Sequence, residues 1–282
     1  MAEAEPVTEE DFRRLADFLY RRTGMVFTES KRYYVQRRVS DRMAATGALS
    51  FASYFARLRG DFTGEIEQFI NAFTVNETYF YREEHQLRCL TRDILTERTR
   101  RRAPSQTIRI WSTPCSTGEE PYSIAIWLLE NWAQADAYDI EIIGSDIDTA
   151  ALAAAEAGVF GKRALMHLPS HLIDRYFEAL DDEQWRILED IRQSVRFTAV
   201  NLVERAETGP YGQFDVIFCR NVLIYFDDAS RRVAAENLYE NLAPGGFICL
   251  GHTESMSRIS PLFEVRRFDD AIVYQRPEAA HG

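Results

Sequence analysis

Residues 107–128, TIRIWSTPCSTGEEPYSIAIWL, prescribe a strand, a tight turn and a helix in immediate succession. The run Ile108-Arg109-Ile110-Trp111 alternates with the period of a buried strand. Small residues from Ser112 to Gly118 make the turn, and the helix is expected to begin near Glu119. Ser116 or Thr117 can cap it, Glu120 stands three residues after Thr117 as in a capping box, and Pro121 falls in the first turn. Free backbone N–H groups converge at such a junction, which is the frame of a nucleotide-type site. A phosphate-binding turn would carry several glycines, whereas here Gly118 stands alone and is followed by two glutamates. Paired carboxylates repel a polyanion but suit a cationic, hydroxyl-bearing ligand such as S-adenosylmethionine (SAM). The same residues also describe an ordinary strand–turn–helix whose acidic first turn suits the helix dipole.

Composition narrows the alternatives. At 282 residues the chain has length for one large domain or two unequal ones. Its formal charge of −11 argues against general nucleic-acid binding, although local basic patches could meet an acidic partner. No apolar run is long enough to span a membrane, and Met1-Ala2-Glu3-Ala4-Glu5 is acidic with no signal-peptide core, so a cytoplasmic protein without membrane insertion is expected. Cys89, Cys115, Cys219 and Cys249 are widely spaced, which fits reduced thiols rather than a disulfide frame or a zinc site.

Residues 1–75 read as short helices with no strand. Phe12, Leu15, Ala16 and Leu19 form one apolar stripe; Ser30 is expected to cap a second helix running to Gly47. Ser50 opens a third, with Phe51, Tyr54, Phe55 and Leu58 inward, and Thr63 a fourth, with Ile66, Phe69, Ile70 and Phe73 inward. On the second helix Lys31, Arg38 and Arg42 fall within about 40° of one another and make a basic stripe. Arg59-Gly60-Asp61 is a turn. Residues 76–83 form a seam in which Asn76, Thr78 and Arg82 could together hydrogen-bond an amino-acid moiety and a carboxylate. A helix from about Glu84 to Arg98 leads to Arg98, Arg100, Arg101 and Arg102, expected to be a solvated loop.

From Thr107 strands and helices alternate, which predicts a mostly parallel sheet. The second strand, Ile140–Ser145, ends at Asp146, where a ribose diol is usually held, with Glu119 as a second contact. Asp146 could instead cap the next helix, Thr149–Ala157, a task Asp148 could also perform. Residues 158–197 break the rhythm and read as a small antiparallel insertion, with a helix at Ser170–Phe177 and strands at Gln184–Leu188 and Ser194–Ala199. His167 and His171 are four apart, but Pro169 lies between them and no third ligand is evident, so no metal is expected. Val200-Asn201-Leu202 closes the third strand, and Phe214–Cys219, the fourth, delivers Arg220 and Asn221 to its C-terminal edge. Leu242–Gly246 turns into a fifth strand, Phe247–Gly251, and a hairpin at Phe263–Gln275 completes a sheet of seven strands.

Ser116-Thr117-Gly118-Glu119-Glu120-Pro121-Tyr122-Ser123 resembles the signature turn of the CheR-type chemotaxis receptor glutamate O-methyltransferases. Gly144-Ser145-Asp146-Ile147-Asp148, Asn201-Leu202 and Phe218–Phe226 (FCRNVLIYF) match that family in the same order, and Asn76–Glu83 (NETYFYRE) resembles its motif preceding the catalytic domain. The resemblance covers nearly the whole chain; Thr113-Pro114 departs from it, where small flexible residues would be expected. It implies an N-terminal all-α domain (1–75) and a SAM-dependent methyltransferase domain (76–282) with the 158–197 insertion. It implies SAM as methyl donor, S-adenosylhomocysteine as product, and no metal. Asn76, Thr78 and Arg82 would line the SAM pocket, and Asn201-Leu202 would contact the adenine end. Lys31, Arg38 and Arg42 would dock on the acidic methylation helices of a receptor. The compact Asp181-Asp182-Glu183 turn, with no glycine from Lys162 to Thr208, favours independence from a receptor's C-terminal tether peptide.

A glutamate γ-carboxylate is ionised at neutral pH (pKa about 4.3) and needs no general base, so the lack of a His–Asp or Cys–His constellation is consistent. Arg82 is then expected to orient the acceptor and Tyr225 to help place the methyl group. A base methyltransferase would carry an Asn/Asp-Pro-Pro-Tyr/Phe turn where this chain has Arg220-Asn221-Val222-Leu223, and a nicotinamide oxidoreductase would need a glycine-rich first turn. A SAM-binding sensor or adaptor without turnover is the alternative of a different class.

Overall fold

The computed structural model describes residues 8–60, 64–100 and 106–278. The chain divides into two compact units: one runs to Val75 and adds Tyr225–Ser230, the other comprises Asn76–Ile224 and Arg231 onward.

In the first unit α1, Glu9–Thr23, starts on a reciprocal capping box: Thr8 Oγ1 accepts the Asp11 N–H and Asp11 accepts the Thr8 N–H, both at 3.1 Å. It stops at Gly24, whose φ of 73° is the left-handed geometry that glycine adopts without strain. A 3₁₀ turn at Glu29–Lys31 precedes α2, Arg32–Thr46. Ser30 therefore does not cap α2; it lies inside the turn, 2.8 Å from Thr28 Oγ1, and Lys31 sits at the helix boundary rather than on its shaft. α3, Phe51–Gly60, opens on Ser50, whose hydroxyl accepts the Ser53 N–H. α4, Glu65–Phe73, follows Gly64; Arg59 and Gly60, expected in a turn, instead end α3, while Asp61 and the expected helix start at Thr63 lie outside the described residues. The four helices bury one face each around Leu15, Leu19, Val39, Tyr54, Phe69 and Phe73.

Arg42 departs from the expected basic stripe. Its guanidinium makes a two-pronged pair with buried Glu65 (Nε 3.0 Å, Nη2 2.6 Å), and the Tyr54 hydroxyl donates to the same carboxylate at 2.8 Å. Glu65 comes from the first turn of α4, so the helix dipole also favours its charge. Arg42 thus joins α2 to α4 rather than facing a partner. Segment 225–230 belongs to this unit through the Val26 N–H to Tyr225 carbonyl bond (2.9 Å) and the Tyr20 hydroxyl to Asp227 bond (3.1 Å).

The second unit begins with α5, Glu84–Cys89, which continues through one π-helical turn, Leu90–Ile94, into α6, Leu95–Thr99. Arg98 at its end is not solvated: it pairs with buried Asp215 at 2.7 Å and donates to the Pro244 carbonyl at 3.0 Å. Arg100 is exposed, and Arg101 and Arg102 lie outside the described residues. Then come β1 (Ile108–Ser112), α7 (Glu119–Asn131), β2 (Ile140–Asp146) and α8 (Thr149–Ala157). The insertion contains β3 (Val159–Gly161), α9 (Lys162–Leu165), α10 (Ser170–Tyr176), β4 (Phe177–Ala179) and β5 (Gln184–Ile187). Its strands pair antiparallel in the order β3-β5-β4, so the insertion holds two short strands that the sequence pattern does not announce. α11 (Glu189–Gln193) returns to β6 (Val195–Ala199), followed by α12 (Arg205–Thr208) and β7 (Phe214–Cys219). α13 (Asp228–Glu240), β8 (Leu242–Leu250), β9 (Glu264–Arg267) and β10 (Ile272–Gln275) end the chain.

The main sheet has seven strands in the order β6-β2-β1-β7-β8-β10-β9, parallel from β6 to β8, with β10 and β9 as an antiparallel hairpin. Its interior strands are apolar on both faces, as in a sheet covered by helices: all six residues of β7 are buried. β1 is followed outward by β2 and β6, and the chain then crosses back to lay β7 on the other side of β1. That reversal opens a crevice at the carboxyl ends of β1 and β7, the place where open α/β sheets bind ligands.

Candidate active site

Four backbone distortions mark the crevice. Among the described residues, the non-glycine residues with positive φ are Tyr81 (60°), Glu83 (55°), Ser116 (50°) and Asn221 (61°). Two follow β1 and β7 directly, and the others belong to the segment that precedes α5. Such geometry costs energy in isolation and persists where surrounding contacts fix it.

The loop after β1 is pinned on both sides of the crevice. Thr113 N–H donates to the Phe218 carbonyl of β7 and Cys115 N–H to the Ser145 carbonyl of β2, both at 2.8 Å. Pro114, between them, follows a cis peptide. Ser116 N–H then donates to Asp146 Oδ2 at 2.7 Å, and the other oxygen of Asp146 accepts the Asp148 N–H at 2.9 Å. Asp148 Oδ1 caps α8 through Ala150 and Ala151, while its Oδ2 accepts from Asn76 Nδ2 at 2.7 Å. Asn76 Oδ1 accepts from Ser116 Oγ at 3.0 Å, which closes a ring of four residues through side chains and the backbone N–H groups of Ser116 and Asp148. Asp148, not Asp146, is the helix cap. Burial pushes the pKa of Asp146 up to about 6, against the lowering effect of backbone N–H bonds from Asp148, Ser116 and Ile147.

The capping box expected at α7 does not form. Its cap is Gly118, at φ 95°, where a Cβ would lie 2.9 Å from that of Ala155, so both backbone geometry and space demand glycine. Thr117 Oγ1 donates to Glu119 at 2.7 Å, and burial raises the Glu119 pKa. Glu120 is held elsewhere: it accepts from Ser112 Oγ at 2.7 Å and from Arg220 Nη1 at 2.8 Å.

Arg220 is the hub of the opposite wall. Its Nη2 lies 3.1 Å from Glu83 and donates to the Arg82 carbonyl at 2.9 Å, so one buried cation ties the ends of β1 and β7 to the segment before α5. Arg220 holds the Glu83 carboxyl below its ordinary range against the opposing effect of burial, with help from His252 at 3.1 Å. Asn221 donates its N–H to Glu254 at 2.8 Å, and the same carboxylate accepts from Leu223 and Gly251. Asp148 and Glu83 lie in the motifs that carry the resemblance but had no part in the expected site, and Glu254 lies outside every motif; all three organise the site. Left-handed Asn221 is the nearest sequence signal, because asparagine tolerates that geometry better than most residues.

The remaining expected residues distribute as follows. Asn201 and Leu202 lie just beyond β6: Asn201 N–H donates to Glu207 at 2.8 Å, and the Leu202 carbonyl accepts from Asn237. Thr78 is half-buried within 76–83, a segment fixed by Phe80 between the rings of Phe160 and Phe177 and by the Tyr81 N–H to Ser123 bond. Arg82 donates to the Glu77 carbonyl at 2.8 Å and lies over the Tyr79 ring at 5.7 Å. Tyr225 belongs to the helical unit and is 38% exposed. The His167 ring packs at a tilt against Tyr79, centroids 4.7 Å apart, and among the described residues no cluster of three His, Cys, Asp or Glu side chains could hold a metal ion.

SAM fits this donor set. Buried Asp146 and Glu119 offer acceptors to hydroxyls, and buried Thr113 Oγ1 has no protein partner. The crevice places acids, not phosphate-binding cations, at the N-terminus of α7. Sheet order, acidic first turn and the carboxylate closing β2 together define a SAM-binding methyltransferase.

Residues 76–272 match the family described as CheR methyltransferase, SAM binding domain, and residues 10–74 match CheR methyltransferase, all-alpha domain. The chain is 51% identical to Chemotaxis protein methyltransferase 2 of Vibrio cholerae, covering 96% of this chain and 94% of the relative. It is 40% identical to Chemotaxis protein methyltransferase 2 of Pseudomonas aeruginosa (90% and 90% covered) and 34% identical to the Chemotaxis protein methyltransferase of Escherichia coli (94% and 91%). The chain belongs to the CheR methyltransferase family.

Proposed function

We propose that this enzyme moves the methyl group of SAM onto glutamate γ-carboxylates of chemotaxis receptors. SAM supplies an electrophilic methyl on a sulfonium. The acceptor oxygen forms the new C–O bond as the C–S bond breaks, its electrons go to sulfur, and no proton moves. What remains for the protein is alignment and exclusion of water, which can contribute on the order of 7–11 kcal/mol. Asp146 and Glu119 hold the ribose, Asn76 and Thr78 line the pocket around the amino-acid end, and Asn201-Leu202 meet the adenine. Arg220 and Asn221 shape the wall behind the sulfonium. Arg82 orients the acceptor carboxylate, and Tyr225 places the methyl group.

The carrying observation is the ring Ser116–Asp146–Asp148–Asn76, which holds a desolvated carboxylate at the end of β2 next to the left-handed turn after β1. Lys31 and Arg38 are the docking cations for the acidic receptor helices; Arg42 is left to the bundle. The compact turn between β4 and β5, where Asp181 accepts the Glu183 N–H, favours action without a tether peptide. No described helix is long and apolar enough to cross a membrane, and a cytoplasmic enzyme acting on the cytoplasmic part of receptors, with no nucleic-acid partner, is the consistent setting. Incubation with methyl-labelled SAM and a soluble receptor fragment should give base-labile methyl esters on glutamate. SAM binding without label transfer to any fragment would overturn the reading.

A further inference from the structure

Beside the 3₁₀ turn Leu223–Tyr225 lies a cleft of about 230 Å³ whose lining includes Leu223, Ile224, Arg231, Glu254, Arg258 and Ile259. Two of these residues are cations in a chain of net charge −11. Arg231 is fixed by its Nε bond to the Leu223 carbonyl at 2.8 Å, so its guanidinium stays at the turn. Arg258 is exposed at the end of the short turn Met256–Arg258, anchored by fully buried Met256 and by its N–H bond to the Ser255 carbonyl. The Glu254 oxygens are turned onto the backbone N–H groups of Asn221, Leu223 and Gly251. Ile224, 48% exposed, supplies an apolar wall and immediately precedes Tyr225. An aliphatic wall in a cleft that also carries the exposed guanidinium of Arg258 suits a side chain with an apolar stem and an anionic head.

We propose that this cleft takes a second carboxylate of the receptor substrate, presented by the helix that carries the acceptor glutamate, with Arg258 as the specificity-determining contact. The inference rests on the methyl-acceptor reading above. On a helix, residues three and four apart share a face, so an acidic neighbour is presented on the same side as the acceptor. Arginine matches a carboxylate through paired N–H donors, and a partly exposed contact of this kind tunes affinity rather than chemistry.

The test uses the full-length enzyme with two soluble receptor fragments, one bearing a glutamate beside the acceptor on the same helix face and one with that glutamate changed to glutamine. On the acidic fragment KM should rise about fivefold for Arg258→Ala and about tenfold or more for Arg258→Glu, with turnover at saturation changed less than about twofold. SAM affinity should be the same in all three proteins, and on the glutamine fragment Arg258→Ala should match wild type. Equal KM values on the acidic fragment, or equal losses on both fragments, would overturn the cleft. A wild-type enzyme that methylates neither fragment would instead remove the acceptor reading itself.

Discussion

Asp146 holds a charge that the fold by itself disfavours. A carboxylate shifted from 3.8 to about 6 costs the folded state about 3 kcal/mol at neutral pH, and that cost grows as pH rises between the two values. The sign follows: the stability associated with this group is fully present at low pH and lost as pH rises through about 6. With the ribose on Asp146 as proposed, SAM acts the opposite way, because its hydroxyls would donate to the ionised form. SAM affinity should therefore weaken as pH falls through about 6, with protons released on binding near that pH, measurable by calorimetry in buffers of different ionisation enthalpy. Asp146→Asn removes the charge but turns an amide nitrogen toward a backbone N–H donor. Its stability should change by about 1 kcal/mol or less, while SAM affinity falls about tenfold or more. Arg220 presents the reverse case. Removing it leaves Glu83 and Glu120 without their cation in a buried setting, so Arg220→Ala should lose about 3–5 kcal/mol in denaturant unfolding. Arg220→Lys cannot reproduce the fork and should lose a substantial part of it.

α7 shows how a strong local signal is overruled. Thr117 and Glu120 have capping-box spacing, yet Glu120 faces Ser112 and Arg220, the latter 100 positions further along the chain. A charge-assisted bond to a buried arginine outweighs a cap that glycine can supply by geometry alone. The strands β1, β2, β7 and β8 and the end hairpin are legible because apolar runs and turn residues are local properties, whereas Val195–Ala199, expected in the antiparallel insertion, forms β6 of the main sheet, parallel to β2. β3 and β4 are not legible, since three-residue strands have no period of their own and depend on β5. Asn76, Asp146 and Ser116 could be named from the chain, but the hydrogen bonds that join them through Asp148 come from separate elements. Arg42 was misassigned for the same reason, as helical spacing gives a face but not the glutamate opposite. Arg42→Ala should lower the stability of the helical unit by about 2–4 kcal/mol, because Glu65 and Tyr54 stay buried; a thermal melt of the variant measures this.

Over the whole chain the net charge of −11 opposes association with an acidic partner, and the proposed docking through Lys31 and Arg38 would work against it locally. The Debye length falls from about 10 Å at 0.1 M salt to about 3 Å at 1 M, so KM for a receptor fragment should rise with salt while SAM affinity changes little. Each methyl ester formed removes one negative charge from the substrate, so a fully methylated fragment should compete more weakly than the unmodified one.

Segment Tyr225–Ser230 carries a consequence for anyone who would exchange parts between relatives. Its sequence lies between β7 and the body of α13, but its partners, Val26 and Tyr20, lie in the first 75 residues. A chimera joined only at Val75 would graft new helices onto an old hexapeptide. The six residues therefore travel, as a unit of inheritance, with the helices and not with the sheet that flanks them.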